Sequence, residues 1–348
     1  MPLDVDREIE ITSRIPDHRR LLVRGCGRAL LLAVGVWAHC GLAIAQDRSV
    51  DNQASPGPQQ VYWQVELLIE PTNMPIKKGE ATLPIPSDWP EQSVAIRDES
   101  STPGVAYRQV DLDEGLRALV VDIPATPLGE KVELSITFAV TLTPLAPPEK
   151  TQYLKIPPKP SKELSRYLNS SELIEPKNAA IKKLASELVE GKHNDWERIE
   201  AMYDWILANI ELSPGAAVGS VRVLSNKKGA REDRVNLFVA LCRNQKIPAR
   251  MVWADRSEYA EFYLLDEAGD GRWYPCQFAG PREFGALAKP VIIEQKGDNF
   301  EVPGSKDRIR YMVEKAKVST VRPARSKADS PSVSFMRRQI FEPQLKPK

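Results

Sequence analysis

Histidine is almost absent from this chain. Its 348 residues hold three, His18, His39 and His193, and two of these fall within the first 45 positions. No second His or Cys stands at ligand spacing from His193, so no metal site is expected. Cysteine is nearly as scarce, with only Cys242 and Cys276 after residue 45. Two cysteines do not make a disulfide framework, and two free thiols are expected. A cysteine nucleophile needs a neighbouring base or a strongly depressed pKa, and a chain so poor in imidazole offers few bases. An excess of one charge is also missing. Of 48 basic and 47 acidic residues, six and five lie in 1–45, leaving 42 of each beyond it. That balance supplies no field for nucleic acid or for an anionic membrane. Loop 215–219 lacks the Lys and following Ser/Thr of a phosphate loop, and no cofactor is expected.

Long apolar runs are missing with one exception. Arg14, Arg19, Arg20, Arg24 and Arg28 precede an apolar run over 29–45 that ends in Ala43-Ile44-Ala45. The order of basic, apolar and small residues predicts a signal peptide over 1–45, cleaved before Gln46. The alternative is an uncleaved anchor, but a run interrupted by His39 and Cys40 is short against the roughly 20 residues of a span. Membrane association is expected only in that case. Both readings place the body outside the cytoplasm, in a periplasmic, secreted or envelope-associated setting, because the arginines stay inside.

What is present divides by period. Residues 46–60 read as a flexible leader. Over 61–145 the period is two: Val61, Trp63, Val65, Leu67 and Ile69 alternate with polar neighbours, as do Val132, Leu134, Ile136, Phe138 and Val140. Shorter strand candidates at 81–85, 93–97, 105–110 and 118–123 complete an antiparallel β-sandwich. Residues 146–176, with Pro147-Pro148 and Pro157-Pro158-Lys159-Pro160, predict a semi-rigid linker separating two domains. Helical spacing then takes over in a domain spanning 177–348. Ile181, Leu184, Ala185 and Leu188 form one stripe; Trp196, Ile199, Tyr203, Ile206 and Ile210 form a second, capped by Asn194 or Asp195. A third helix over 232–245 buries Val235, Phe238, Leu241 and Cys242. Strands are expected at 250–254, 259–264, 272–278, 290–295, 309–314 and 332–340. Helices followed by an antiparallel sheet make the fold class α+β. Trp196, Trp205, Trp253 and Trp273 fit core packing better than an aromatic ligand site.

The run Lys228-Gly229-Ala230-Arg231-Glu232-Asp233, with Ala240-Leu241-Cys242-Arg243 and Ile247-Pro248-Ala249-Arg250, resembles the core of the transglutaminase-like superfamily, a papain-like arrangement. The resemblance covers about 176–285. In that family a cysteine opens the helix, a histidine begins a His-Ala-Trp-Ala-Glu strand and an aspartate ends a Trp-x-Pro-x-Asp strand. Here the matching positions are Arg231, Ser257 (in Ser257-Glu258-Tyr259-Ala260-Glu261) and Gln277 (in Trp273-Tyr274-Pro275-Cys276-Gln277). The resemblance therefore implies the fold of a cysteine hydrolase or acyltransferase with its Cys-His-Asp triad replaced.

The replacement reverses the site's electrostatics. A helix N-terminus favours thiolate, whereas the permanent cation Arg231 is repelled by the same partial charge, offset by Glu232 and Asp233 in the first turn. Gln277 cannot stabilise an imidazolium as a carboxylate does. Three readings remain. The domain is a pseudoenzyme whose former cleft, with Glu232, Asp233, Glu258, Tyr259, Glu261 and Trp273 as possible lining, binds a protein or peptide partner or only holds the fold. Arg231 then pairs with Glu258, Glu261 or a partner's anion. Alternatively the chemistry has moved to Cys276 with a carboxylate base, or the sandwich is an interaction module on an inert support.

Overall fold

The computed structural model describes residues 9–13, 57–255, 257–302, 306–322 and 329–341. Most of the expected signal peptide and flexible leader thus lies outside the described residues. The first strands are β1 (Ile9–Thr12), β2 (Gln59–Glu70), β3 (Ile76–Ile85), β4 (Gln92–Ser101), β5 (Ala106–Asp113), β6 (Leu116–Ile123) and β7 (Val132–Leu142). Then come α1 (Lys162–Ser165), α2 (Ala179–Val189), α3 (Asp195–Asn209), β8 (Glu211–Leu212), α4 (Ser220–Asn226), β9 (Lys228–Gly229) and α5 (Arg231–Asn244). The chain ends with β10 (Ala249–Ala254), β11 (Ser257–Leu265), β12 (Gly271–Gln277), β13 (Glu283–Phe284), β14 (Ile293–Lys296), β15 (Lys315–Thr320) and β16 (Ser332–Ile340).

Period-two alternation places the odd-numbered residues Trp63 to Ile69 of β2 and the even-numbered residues Val132 to Val140 of β7 inward. They share one apolar core with Leu83, Val121, Ala316 and Val318. Two sheets enclose it, in the orders β1-β15-β3-β6-β5 and β16-β2-β7-β4. The last strands thus differ from expectation. Residues 332–340 form a strand as the pattern indicates, but they pair along β2, from Ser332–Glu70 to Ile340–Tyr62. The strand expected at 309–314 forms instead at Lys315–Thr320 and pairs with β3. The chain end completes the sandwich rather than the second domain.

The linker is also ordered. Leu154, Tyr167 and Ile174 are buried, and Leu154 and Ile174 belong to the core beneath α5. Backbone bonds join Lys155 to Leu265, while Arg243 donates to the Asn169 carbonyl at 2.7 Å. Prolines stiffen this stretch, yet its scattered apolar residues anchor it, so it is no spacer between independent bodies.

The remaining elements form an α+β unit: the antiparallel sheet β13-β12-β11-β10-β14 with α5 laid on β10 and β11. Asn194 caps α3 by accepting from the Glu197 N–H at 2.9 Å. In α5, Val235 and every residue from Leu237 to Cys242 are fully buried, so the helix is enclosed on all sides rather than along a stripe. Trp196 and Trp253 are buried, whereas Trp205 and Trp273 are half-buried. Among the described residues no helix is long and apolar enough to cross a membrane.

Candidate functional site

The first residue of α5 is Arg231, and that helix start is held by its own neighbours. Asp233 is fully buried; its Oδ1 accepts from the Val218 and Gly219 N–H groups at 2.7 and 2.9 Å, and its Oδ2 from the Ala230 N–H at 2.9 Å. Asp233 therefore caps the helix and ties down the preceding loop instead of lining a cleft. A carboxylate here also matches the helix dipole.

Arg234, one turn into α5, donates Nη1 to the Phe278 carbonyl and Nε to the Ile210 carbonyl, both at 2.9 Å. Phe278 directly follows Gln277, so this bond sets the helix start beside the end of β12. On the other side, Glu232 feels the charge of Glu258, which neighbours Ser257 at the start of β11. Strands β11 and β12 are antiparallel, with Ala260 opposite Cys276, so Ser257 and Gln277 lie at the same end of the sheet. The ends of three elements carrying Arg231, Ser257 and Gln277 meet at this corner.

The side chains there are turned to structural uses. Gln277 folds its Oε1 back onto the Phe278 N–H at 2.9 Å, and its carbonyl accepts from the Tyr203 hydroxyl at 2.7 Å. Glu232 pairs with Arg310 at 2.9 Å, yet burial outweighs that cation and raises its pKa above the usual carboxylate value. Arg310 also donates to the Glu172 carbonyl at 2.7 Å, bonds Asn236 and lies over the Trp253 ring. Arg310 carries no sequence signal: it is one arginine within the strand expected at 309–314, and nothing in the pattern points it at the start of α5.

Glu261 is not available to Arg231. It is fully buried on β11, accepting from Arg250 Nε at 2.8 Å and Lys296 Nζ at 2.7 Å. Lys296 also bonds Glu91 of the β3–β4 loop, and Arg250 stacks 4.0 Å above Trp273. Lys296 first, then Arg250, overcome the desolvation of Glu261 and hold its pKa below the normal value. Tyr259 is buried among Val252, Ala254 and Ile293, where burial pushes its hydroxyl pKa well up. Of the expected lining, then, Asp233, Tyr259 and Glu261 are interior groups, while Glu258 and Trp273 are half-buried.

Both described cysteines are free and fully buried. Burial drives the Cys276 thiol far above its ordinary pKa, and Cys242 likewise. Cys276 Sγ lies 3.6 Å from the Ala260 carbonyl, on the opposite face of β12 from Gln277.

Residues 182–278, which run from α2 to just past the end of β12, match the Transglutaminase-like superfamily. Those residues are a transglutaminase-like core. Among solved structures, a candidate cysteine protease from Cytophaga hutchinsonii is similar at 16% identity, covering 80% of this chain and 100% of that one, with a TM-score of 0.49. A candidate protease from Parabacteroides distasonis shares 14% identity over 69% of this chain and 48% of its own, with a TM-score of 0.27. No curated protein matches the chain significantly. In the transglutaminase-like core described here, the helix start carries an arginine and the two strand ends carry serine and glutamine.

Proposed function

We propose that this is an exported protein whose transglutaminase-like core is catalytically inert and serves a binding or structural role in the cell envelope. The observation that carries the reading is the corner itself, where Arg231, Ser257 and Gln277 occupy the ends of α5, β11 and β12. None of the three can form thiolate or imidazolium. The rival reading, with chemistry relocated to Cys276, needs an accessible thiol of low pKa. Burial and a raised pKa at both Cys242 and Cys276 argue against it.

The test is to incubate the purified chain from Gln46 onward with acyl-donor peptides and a thiol-reactive probe. Slow labelling without turnover is the expected result; fast stoichiometric labelling with turnover would reinstate the enzyme. A second measurement asks how far the corner has been remodelled. Arg231→Cys, Ser257→His and Gln277→Asp together should yield a thiol that reacts faster than Cys242 or Cys276. An unreactive new thiol in a correctly folded triple variant would mean that the corner no longer assembles a triad.

The reading of the sandwich as the interaction module has one observation in its favour. The outer face of β16-β2-β7-β4 carries an open hollow of about 1100 Å³, lined by Gln64, Glu66, Leu68, Ser135 and Met336 among others. Loss of envelope co-purification partners on Glu66→Arg, with none on Arg231→Ala, would favour that face over the corner.

A further inference from the structure

Strand β1 lies inside the segment expected to be removed, yet it is built into the fold. Ile9, Glu10, Ile11 and Thr12 pair antiparallel with Val318, Lys317, Ala316 and Lys315. Ile9 and Ile11 are half-buried, and Glu10 reaches 4.0 Å from Lys317 Nζ. Beyond the strand, the Ser13 N–H donates to the Glu314 carbonyl at 2.9 Å and its hydroxyl to Glu314 Oε2 at 2.5 Å. These contacts close the edge of the sheet that ends on β15.

Cleavage before Gln46 would sever β1 from the body. A four-residue strand held only by an edge stays bound through the effective concentration its tether provides, and loses that on cleavage. Alternate residues of the stretch Lys315 to Val318 would then present unpaired N–H and C=O groups on the side away from β3, a template for another strand. Pairing of two copies through this edge leaves Lys317 without the acid that Glu10 supplies: full antiparallel overlap sets it opposite Val318, and a shifted register that sets Lys315 opposite Lys317 opposes like charges. What the edge accepts is shown by what fills it: apolar residues opposite Ala316 and Val318, with an acid opposite Lys317.

We propose that the β15 edge is a strand-acceptor site that leader removal opens to an extended segment of another protein, docking antiparallel with alternating apolar and acidic residues. The mode is β-augmentation, in which main-chain bonds give affinity and alternate side chains give specificity. The proposal rests on the export reading, since without cleavage β1 keeps the site filled.

Two recombinant chains test it: 46–348, and the full chain locked by a disulfide between Glu10→Cys and Lys317→Cys. The probe is a labelled peptide of residues 7–13. Amide exchange over 315–320 should be at least about tenfold faster in 46–348 than in the locked chain, and the peptide should restore protection. The same peptide with Ile9→Asp and Ile11→Asp should not bind 46–348, and the locked chain should not bind the original. Full protection of 315–320 in 46–348 without peptide, as when its own tail covers the edge, would overturn the acceptor site. So would failure of the peptide to bind. N-terminal sequencing of the native protein separates the two levels. A native chain beginning at Met1 removes the export reading and the opening with it; one beginning at Gln46 whose edge binds nothing removes the acceptor site alone.

Discussion

The sandwich interior and the seam joining the sandwich to the transglutaminase-like core are both shut off from water, but they are made of opposite materials. The interior is aliphatic and aromatic throughout, from Trp63 and Leu67 to Phe138 and Val318. At the seam, Lys296 sits 1% exposed between Glu91 of the sandwich and Glu261 of the core, with Arg250 on the far side of Glu261. Arg337 of β16 joins Glu294 of β14 and Glu314 in the same manner. Apolar packing is non-directional and tolerates exchange of similar volumes. A buried ion cluster tolerates no single deletion, because each loss leaves a neighbour charged and unpaired. The interior therefore makes the sandwich stable, and the seam fixes how the two halves fit.

The largest effects should come from breaking one member of each region. Lys296→Met should cost about 3–5 kcal/mol in urea unfolding, because Glu91 and Glu261 lose their shared cation. Phe138→Ala should cost a similar 3–5 kcal/mol by leaving a cavity. The regions part company in double variants. Glu91→Gln added to Lys296→Met removes the stranded charge, so the pair should couple by about 0.5–3 kcal/mol, whereas Phe138→Ala in the sandwich and Phe238→Ala in the separate core around α5 should add to within about 0.5 kcal/mol. Strict additivity at the seam would show that the cluster does not act as a unit.

A smaller effect tests the fit of the halves. Gly115, in the β5–β6 turn, has φ +82° and donates no side chain where the backbone of Lys296 passes; a Cβ there would come 2.1 Å from the Lys296 carbonyl oxygen. The Lys296 N–H in turn donates to the Gly115 carbonyl at 3.1 Å. Gly115→Ala should cost about 1–3 kcal/mol from backbone strain, with more if the seam must part. No loss of stability would mean that the close approach is dispensable.

These comparisons also show what a sequence can carry. The strands β2, β7 and β16 were legible because one face is wet and the other dry, and alternation records that difference directly. Helix α5 was legible from its framing motifs, and the same motifs named Arg231, Ser257 and Gln277 as the positions at the ends of α5, β11 and β12. Partners are another matter. Period two says that 332–340 is a strand, but nothing in it says that the other side of the pairing is β2, about 270 residues earlier. Ile309, Tyr311 and Val313 alternate too, yet that stretch wraps over the core and the strand begins only at Lys315. Lys296 and Glu261 look like surface residues until their mutual neutralisation is visible, and Leu154 and Tyr167 are too isolated in a proline-rich stretch to announce that they are buried.

The smallest and most discriminating effect is pH dependence, because the buried acids divide by sign. Asp298, buried against Arg243 Nη2 at 2.6 Å, has its carboxyl held below the usual value despite desolvation, as does Glu261. Such groups stabilise the fold above the unfolded carboxylate pKa of about 4, and that stability is lost as pH falls through their folded values. Glu294 and Glu232 have raised pKa values because burial outweighs their arginine partners. Their contribution runs the other way, since the folded state holds the proton more tightly and stability declines as pH rises from about 4 through the folded value. Urea unfolding from pH 3 to pH 8 should therefore show two limbs. Asp298→Asn should flatten the acid limb and leave the other; Glu294→Gln should flatten the decline above about pH 4. A single variant that changed both limbs alike would mean that the two ion clusters titrate as one, and that the seam is a continuous network rather than separate clasps.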